Sequence, residues 1–545
     1  MKLKFALFAF AATGLLTASI NAQSYVITNA RIVTVSGPTI ENGTVVVRDG
    51  LIEAVGVDVK PPADAQVFDG AGLTVYPGFV DGLTSVGMQS PRTPTPAPAG
   101  GGGAAAQQAA PQTNSNYPAG LRPELDATED LRGGDAQFET NRNAGFTTVV
   151  TVGRTGIFNG RSAIINLAGD AVSGMIVKAP FAEHVSFATI SGQYPGSLLG
   201  TFSALRQMFL DAQRLQGLQK MYAANPRGMK RPDTDQSLEA LFPILNKQMP
   251  IVFNANRENE IIRALDFAKE FNLKAIIAGG QEAWKVSDRL IAQDVPVLLS
   301  LNFPKRTAAA SADADPDTMD MLRFRAETPK TAARLQQAGV RFAFQSGGLT
   351  TLSEFFTNAG KAVENGLARD AAIRSMTLGS AEILGVSDRL GSVEKGKIAN
   401  LTVVKGDLFG KDRLVSNVFV DGRPFEQKAP PADKPRPPGG TAPGALPQVG
   451  GNYSIAIEIP GQQLTGTLAL TQQAAVITGS LQTQLRTSPV KDGKVTAEGF
   501  SFAATVEFGG SQIEVFVKGT VTGNQVSGTV DLPQGTVPFS GTRNP

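Results

Sequence analysis

Cysteine is absent from the 545 residues, and histidine occurs once, as His184. Without cysteine there is no disulfide, no thiolate nucleophile and no cysteine-ligated zinc. One histidine cannot supply the imidazole cluster of a typical zinc enzyme. Charge of one sign is also lacking: 50 Lys and Arg stand against 48 Asp and Glu, a formal balance of +2. That argues against electrostatic nucleic-acid binding, which needs a clear basic excess. No segment reaches the about 20 consecutive apolar residues of a membrane-spanning helix. Nucleophile elbows and phosphate-binding loops do not stand out either. Stability must therefore come from buried cores, and the length allows several domains.

What is present begins with a segment that reads as an export signal. Lys2 and Lys4 give a basic start, residues 5–16 are apolar, and Ile20-Asn21-Ala22 offers a cleavage site before Gln23. Residues 1–22 are expected to be removed, and the two lysines lost with them bring the net charge near zero. The mature chain is then periplasmic or secreted; an uncleaved anchor is the alternative.

Two low-complexity stretches punctuate the rest. Residues 90–118 contain PRTPTPAPAGGGGAAAQQAAPQ, have little to bury, and predict a disordered insert. Residues 428–451 are proline-rich and predict a semi-rigid linker. Residues 23–76 are strand-like, with YVITNARIVTV, GTVVVRDGLIEAVG and QVFDGAGLTVYPG broken by Gly, Asn and Asp. Residues 77–385 alternate short apolar strands with helical periods, which argues for a parallel sheet, open or closed into a barrel. Six strands are legible there: near 77–81, then 147–152, 250–255, 274–280, 295–301 and 341–347. Residues 328–338 predict a helix with Thr328 as N-cap, Pro329 at the first helical position and Gly339 as the stop. Residues 452–545 show short alternating strands with a turn every 8–12 residues, the pattern of an all-β sandwich or small barrel. This last segment is a packing module or a surface-binding module.

Two segments resemble the amidohydrolase superfamily, in its imidazolonepropionase-like branch. One is NARIVTVSGPTIENGTVVVRDGLIEAVG followed by FDGAGLTVYPGFVDG; the other is AAIRSMTLGSAEILGVSDRLGSVEKGKIANLTVVKGD followed by VFVDGRPF. The resemblance covers about residues 25–427. It implies an α/β fold: a (β/α)8 TIM-like barrel over 77–385, flanked by a composite β-sandwich from 23–76 and 386–427, with 452–545 as an added all-β domain. It also implies hydrolysis of a non-peptide C–N bond, in a cyclic amide or related small molecule, by a metal-activated water.

The resemblance further implies where metal ligands should stand, and these positions have changed. The family's first barrel strand ends in Pro-Gly-Phe-x-Asp-x-His-x-His; here Leu83 and Ser85 stand at the two histidines. Asn254 stands at the fifth-strand histidine, Gly279 at the sixth-strand histidine and Ser346 at the eighth-strand aspartate. No zinc or other divalent cofactor is therefore expected. His184 lies between apolar residues and reads as packed rather than catalytic, and Lys178 lacks the dinuclear setting of a bridging lysine. The run Asp313-Ala314-Asp315-Pro316-Asp317 resembles a calcium loop but has Thr318 and Phe324 where Gly and Glu belong, so it reads as a solvated acidic loop.

Asp81 and Glu282 follow strand ends on the face where barrels carry active sites, and could act as acid and base if they converge. Structural readings compete: Asp81 capping its junction, Glu282 opening a helix. Asn254, Asn256, Gln281, Gln345 and Ser346 are expected to complete a polar, mostly uncharged pocket for a small molecule. Two functions stand side by side. One is a divergent exported hydrolase acting on an unknown substrate. The other is a non-catalytic relative that binds a small polar ligand, a glycan or an active sister amidohydrolase. Self-association is open as well, since related barrels often pair.

Overall fold

The computed structural model describes residues 24–88, 117, 120–153, 155–169, 171–187, 189, 194–306, 317–349, 351–426 and 447–543, apart from 460–461, 484–486, 497–498, 509–510 and 533–534. The expected signal segment, nearly all of the 90–118 insert, most of the 428–451 linker and nearly all of the Asp313 acidic loop lie outside the described residues. The chain forms two compact units, the second built mainly from residues beyond 428.

In the first unit, β1 (Tyr25–Ile32), β2 (Ile40–Arg48), β3 (Leu51–Gly56), β4 (Gln66–Asp69) and β5 (Leu73–Pro77) come first. They are followed by β6 (Phe79–Thr84), β7 (Phe146–Thr151), β8 (Phe158–Arg161), β9 (Ala163–Asn166), β10 (Ile176–Lys178) and β11 (Glu183–Ser186). Then come β12 (Ile251–Ala255), β13 (Ala275–Gly279), β14 (Val297–Ser300) and β15 (Phe342–Gln345), and last β16 (Leu401–Lys405), β17 (Leu414–Val420) and β18 (Arg423–Glu426).

Strands from the two ends share one sheet in the order β18-β17-β16-β5-β1-β2-β3, with β4 beside β1. The join is antiparallel, Leu401 opposite Pro77 and Lys405 opposite Leu73. Alternation sets its faces: Ala30 and Ile32 are buried while Asn29 and Arg31 are exposed. The sheet curls until two of its hairpin turns touch. A Cβ on Gly422 would come 2.6 Å from the Cα of Gly50, and Gly422 has φ +74, so only glycine fits.

Eight staves form the barrel. β6 and β7 pair in parallel, and β11 through β15 form a continuous parallel run. β15 returns to β6, where the carbonyl of Phe344 lies 3.0 Å from where a Cβ on Gly82 would sit. The third stave departs from a regular (β/α)8 pattern. It is built of β8 and β9, separated by Ser162, and runs antiparallel to both neighbours, β7 and β11. Only residues 152–157 separate β7 from β8. A parallel crossover needs a dozen or more residues, so this connection can only turn back as a hairpin.

Val80, Val150, Ile164, Val252, Leu298 and Ala343 fill the barrel interior, one from each of six staves. The opposite faces, with Phe79, Val149, Ile165, Val185 and Phe253, pack against the helices. Helix Glu258–Glu270 shows why: Ile261, Ala264, Leu265 and Ala268 fall on one stripe and are buried. Thr328 is not an N-cap. It ends helix Met319–Glu327, its hydroxyl donating to the Phe324 carbonyl, and a 3-10 turn over Thr328–Lys330 leads into helix Thr331–Ala338. Gly339 stops that helix in the left-handed conformation.

The second unit contains β19 (Gly451–Ile459), β20 (Gln462–Gln473), β21 (Val476–Thr483), β22 (Thr487–Pro489), β23 (Lys491–Thr496), β24 (Gly499–Phe508), β25 (Ser511–Thr522), β26 (Gln525–Leu532) and β27 (Gly535–Arg543). They follow the order β20-β19-β27-β26-β25-β24-β23-β21-β22, and a further β20–β21 pairing closes the ring. This is a barrel, not a two-sheet sandwich. Tyr453, Leu468, Phe500, Val515 and Phe539 fill its interior. Ser454, Gln482, Lys518, Thr520, Ser540 and Thr542 are exposed. An apolar inside and a polar outside invert the pattern of a membrane barrel. Among the described residues no helix is long and apolar enough to cross a membrane.

Candidate functional site

The C-terminal end of β6 sets the first wall of the site. Thr84 fixes it to β7: its hydroxyl donates to the Val150 carbonyl at 2.9 Å, and its own carbonyl accepts from the Val152 N–H at 3.1 Å. Asp81 fixes it to the turn after β15. One carboxylate oxygen accepts from the Ser346 N–H at 2.9 Å and from the Leu83 N–H at 3.2 Å. The turn is tight, with Leu349 N–H donating to the Ser346 carbonyl at 2.8 Å.

Between these walls lies a cavity of about 720 Å³ at the C-terminal ends of the staves. Leu83, Ser85, Asn254 and Ser346 all line it. Four of the five positions singled out as altered metal ligands therefore share one space. Asn254 is half-buried, and its amide meets Asn159 Oδ1 only at 3.4 Å. The remaining wall includes Gln137, Asn141, Asn159 and Ser186, with Val86 and Leu349 as apolar surface. No charged side chain lines it among the described residues.

Gly279 stands apart from this wall. Its φ is +97, and a Cβ there would come 2.4 Å from Asn256 Oδ1. The backbone itself excludes a histidine without rearrangement. Zinc is bound by thiolate, imidazole or carboxylate. Leu83 has no lone pair, Gly279 has no side chain, and Ser85, Asn254 and Ser346 offer neutral oxygens. This donor set does not fit the family metal. Among the described residues no three His, Asp or Glu side chains are grouped to hold one.

The two carboxylates do not converge. Asp81 is fully buried at the junction of two cavity walls, and its second oxygen has no hydrogen-bond partner. Burial pushes its pKa up to about 6, against the pull of the Ser346 hydroxyl and of the Ser346 and Leu83 N–H groups. Glu282 is committed elsewhere. It accepts from the Glu258 N–H at 2.9 Å and from Lys285 Nζ at 2.9 Å, with Arg257 at 3.5 Å. Burial raises the Glu282 carboxyl, but the Glu258 N–H, Lys285 and Arg257 outweigh that and hold it below the usual range. Glu282 thus closes the N-terminus of helix Glu258–Glu270 and stays ionised, unsuited to acid–base work at the mouth.

Asn256 is exposed, and Gln281 donates to the Asn302 carbonyl at 2.6 Å; neither forms part of the cavity wall. Gln345 is buried beneath the wall, with its Oε1 unpartnered. His184 lies within the barrel wall on β11, fully buried, with Nε2 2.8 Å from Ser162 Oγ. Burial pushes its pKa down to about 3, so the ring is neutral and takes no part in the mouth. Lys178 donates to the Leu384 carbonyl at 3.2 Å. Asn141, Asn159 and Ser186 escaped the sequence reading. Asn141 sits on helix Ala136–Ala144 and Asn159 on the reversed stave, and neither has a motif around it.

The Amidohydrolase family profile matches residues 318–425. A stretch of 78 residues, 14% of the chain, is 52% identical to the N-acetylglucosamine-6-phosphate deacetylase of Haemophilus influenzae. The chain spans about a fifth (19%) of that curated relative. The crystal structure of an amidohydrolase from Thermotoga maritima MSB8 covers 74% of this chain and is itself covered completely, with a TM-score of 0.61 and 25% identity. A crystal structure of a Xaa-Pro dipeptidase with bound methionine in the active site covers the same share, with a TM-score of 0.45 and 17% identity. A mixed α/β barrel with a polar cavity at its strand ends defines the frame of a barrel hydrolase. Residues 318–425 match the amidohydrolase family, and the first unit resembles an amidohydrolase in its fold.

Proposed function

We propose that this is an exported amidohydrolase relative whose barrel mouth binds a small polar molecule without a metal ion. The observation that carries the reading is the shared wall: Leu83, Ser85, Asn254 and Ser346 line one cavity with uncharged side chains. Such a wall orients a ligand by hydrogen bonds and supplies no Lewis acid. The volume of about 720 Å³ suits a small molecule. Export rests on the basic and apolar start of the sequence. Isothermal titration of the mature chain against small cyclic amides and N-acetylglucosamine tests the reading, with Ser346→Trp filling the mouth as control. Saturable binding abolished by Ser346→Trp is the expected result. Binding that survives Ser346→Trp, or no binding at millimolar concentration, overturns it.

Asp81 favours a second reading, hydrolysis of a C–N bond without metal. A carboxyl with pKa about 6 exchanges its proton near neutrality and lies beside the wall. It would take a proton from water as that water attacks the amide carbon. Glu282 cannot return the proton to the leaving nitrogen, so the protonated Asp81 must do so. Amine release that disappears in Asp81→Asn while ligand binding persists within about tenfold would establish this reading over the first.

A further inference from the structure

We propose that Ser346 is a nucleophile for acyl transfer. Its hydroxyl attacks the carbonyl carbon of a small ester in the mouth cavity, hands its proton to Asp81 behind it, and expels a leaving group that departs as an anion. This rests on the reading that the cavity admits a small molecule, and adds a covalent step and a substrate class.

Position carries it. Asp81 is fully buried and is not part of the cavity wall. Ser346 lines the cavity and also meets Asp81: its N–H donates to the carboxylate at 2.9 Å, and its hydroxyl acts on the same carboxylate as a donor. Leu83, the other wall residue bonded to Asp81, uses its N–H and has no side-chain proton to give. A serine hydroxyl is a weak nucleophile until a base takes its proton, and a carboxylate behind it supplies that base. The turn after Ser346 is held by two bonds of 2.8 Å, Leu349 N–H to the Ser346 carbonyl and Asn302 Nδ2 to the Gly348 carbonyl. Gly347 and Gly348 are wall residues, and their N–H groups have no acceptor among the described residues. Open N–H groups beside a nucleophile can stabilise the oxygen charge that develops on attack.

The steps balance with Asp81 exchanging protons only with Ser346. Ser346 Oγ bonds to the carbonyl carbon, its proton goes to Asp81, and the bond to the leaving oxygen breaks. Water then attacks the Ser346 ester, Asp81 returns its proton to the departing Oγ, and the acid product sheds the water proton to solvent. A leaving amine would need a proton that buried Asp81 does not carry to it. Aryl esters are therefore favoured over the matching amides.

The test treats the full chain with 4-nitrophenyl acetate and, separately, with its amide counterpart 4-nitroacetanilide. Intact mass should show one acetyl group, peptide mapping should place it on Ser346, and neutral hydroxylamine should remove it as an ester. Ser346→Ala keeps the N–H that holds Asp81 and should lose the acetyl group. Asp81→Asn should slow acetylation by at least about a hundredfold, with the half-saturating ester concentration unchanged. The anilide should bind by isothermal titration and release no amine. Anilide binding without acetylation of Ser346, or equal labelling of Ser346→Ala, overturns the nucleophile and leaves the cavity as a binding site. Acetylation of Asp81→Asn at the wild-type rate overturns the base. An anilide cleaved as fast as the ester overturns the proton route. If the anilide does not bind and Ser346 is not acetylated, the inference and the cavity reading fall together.

Discussion

Asn400 Nδ2 donates to Asn166 Oδ1 at 2.9 Å, joining the chain's return into the composite sheet to the third barrel stave. The same oxygen accepts from Thr148 at 2.7 Å, and Asn166 passes its own amide on to Asp421 at 2.6 Å. Asn400 Oδ1 accepts from the Asp421 N–H at 2.8 Å, closing the circuit. Asn400, Asn166 and Thr148 are each under a tenth exposed, so water cannot replace a lost member.

Asn400→Ala should therefore destabilise the first unit by about 2–4 kcal/mol, because it strands several buried groups at once. Asn400→Asp, which keeps one acceptor but loses the donor, should cost nearly as much. Urea denaturation checks both; a loss below 0.5 kcal/mol (order of magnitude for a surface change) would show the circuit is not a structural bond.

Asp81 gives a pH signature. Its folded pKa, about 6, lies above the ordinary carboxyl value of 3.8. The folded state holds a proton that the unfolded chain releases earlier. Its contribution is thus full below about pH 4 and is lost as pH rises through 6. Asp81→Asn should add up to about 3 kcal/mol at pH 7.5 and little at pH 4. Thermal melts at the two pH values decide; equal effects at both would place the cause outside ionisation.

Glu183 has the same sign by a different surrounding. It is fully buried on β11, next to His184, with no partner for either carboxylate oxygen. Burial holds its pKa well above the usual range; the Arg161 charge opposes this and Glu124 and Asp126 add to it. Its stabilising contribution is present below about pH 4.5 and declines above it. Glu183→Gln should raise the melting temperature at pH 8 and leave it unchanged at pH 4, with about 2–4 °C for each kcal/mol recovered. A lower melting temperature at pH 8 would mean the carboxylate is ionised and paired.

Metal can be returned to the mouth without Gly279. Leu83→His, Ser85→His, Asn254→His and Ser346→Asp together place three imidazoles and a carboxylate around one cavity, a set zinc accepts. This variant should retain about one zinc after dialysis against a weak chelator. Gly279→His added to it should lower stability by about 1–3 kcal/mol through its left-handed backbone, and bring no further affinity. Metal analysis and melts on the two variants test both halves.

The sequence made the α/β frame legible because apolar strands such as those at 147–152 and 250–255 stand out against polar helical periods. It hid two staves for physical reasons. The third contains Asn159, Gly160, Arg161 and Ser162, turn residues by composition, yet neighbours on both sides complete its ladder. The fourth has only the four residues Glu183–Ser186, two of them ionisable, and burial rather than composition makes it a strand. The site was legible where it followed strand ends, at Leu83, Ser85, Asn254 and Ser346. It misled at Glu282, Gln281 and Asn256, because the residues after β12 and β13 turn to cap helices instead of facing the mouth. Asn141 could not be foreseen: its helix precedes the second stave, and only packing brings it to the cavity.

The ring of residues 451–543 closes through its first and last strands, β19 against β27, with Tyr453 opposite Arg543 and Ile457 opposite Phe539. β27 also holds β26, so one strand secures two neighbours and adds Phe539 to the core. Until residues 535–543 have been synthesised, β19 and β26 both present bare edges. Closure of this ring therefore waits on its last strand, and a change that unseats β27 opens it on two sides at once.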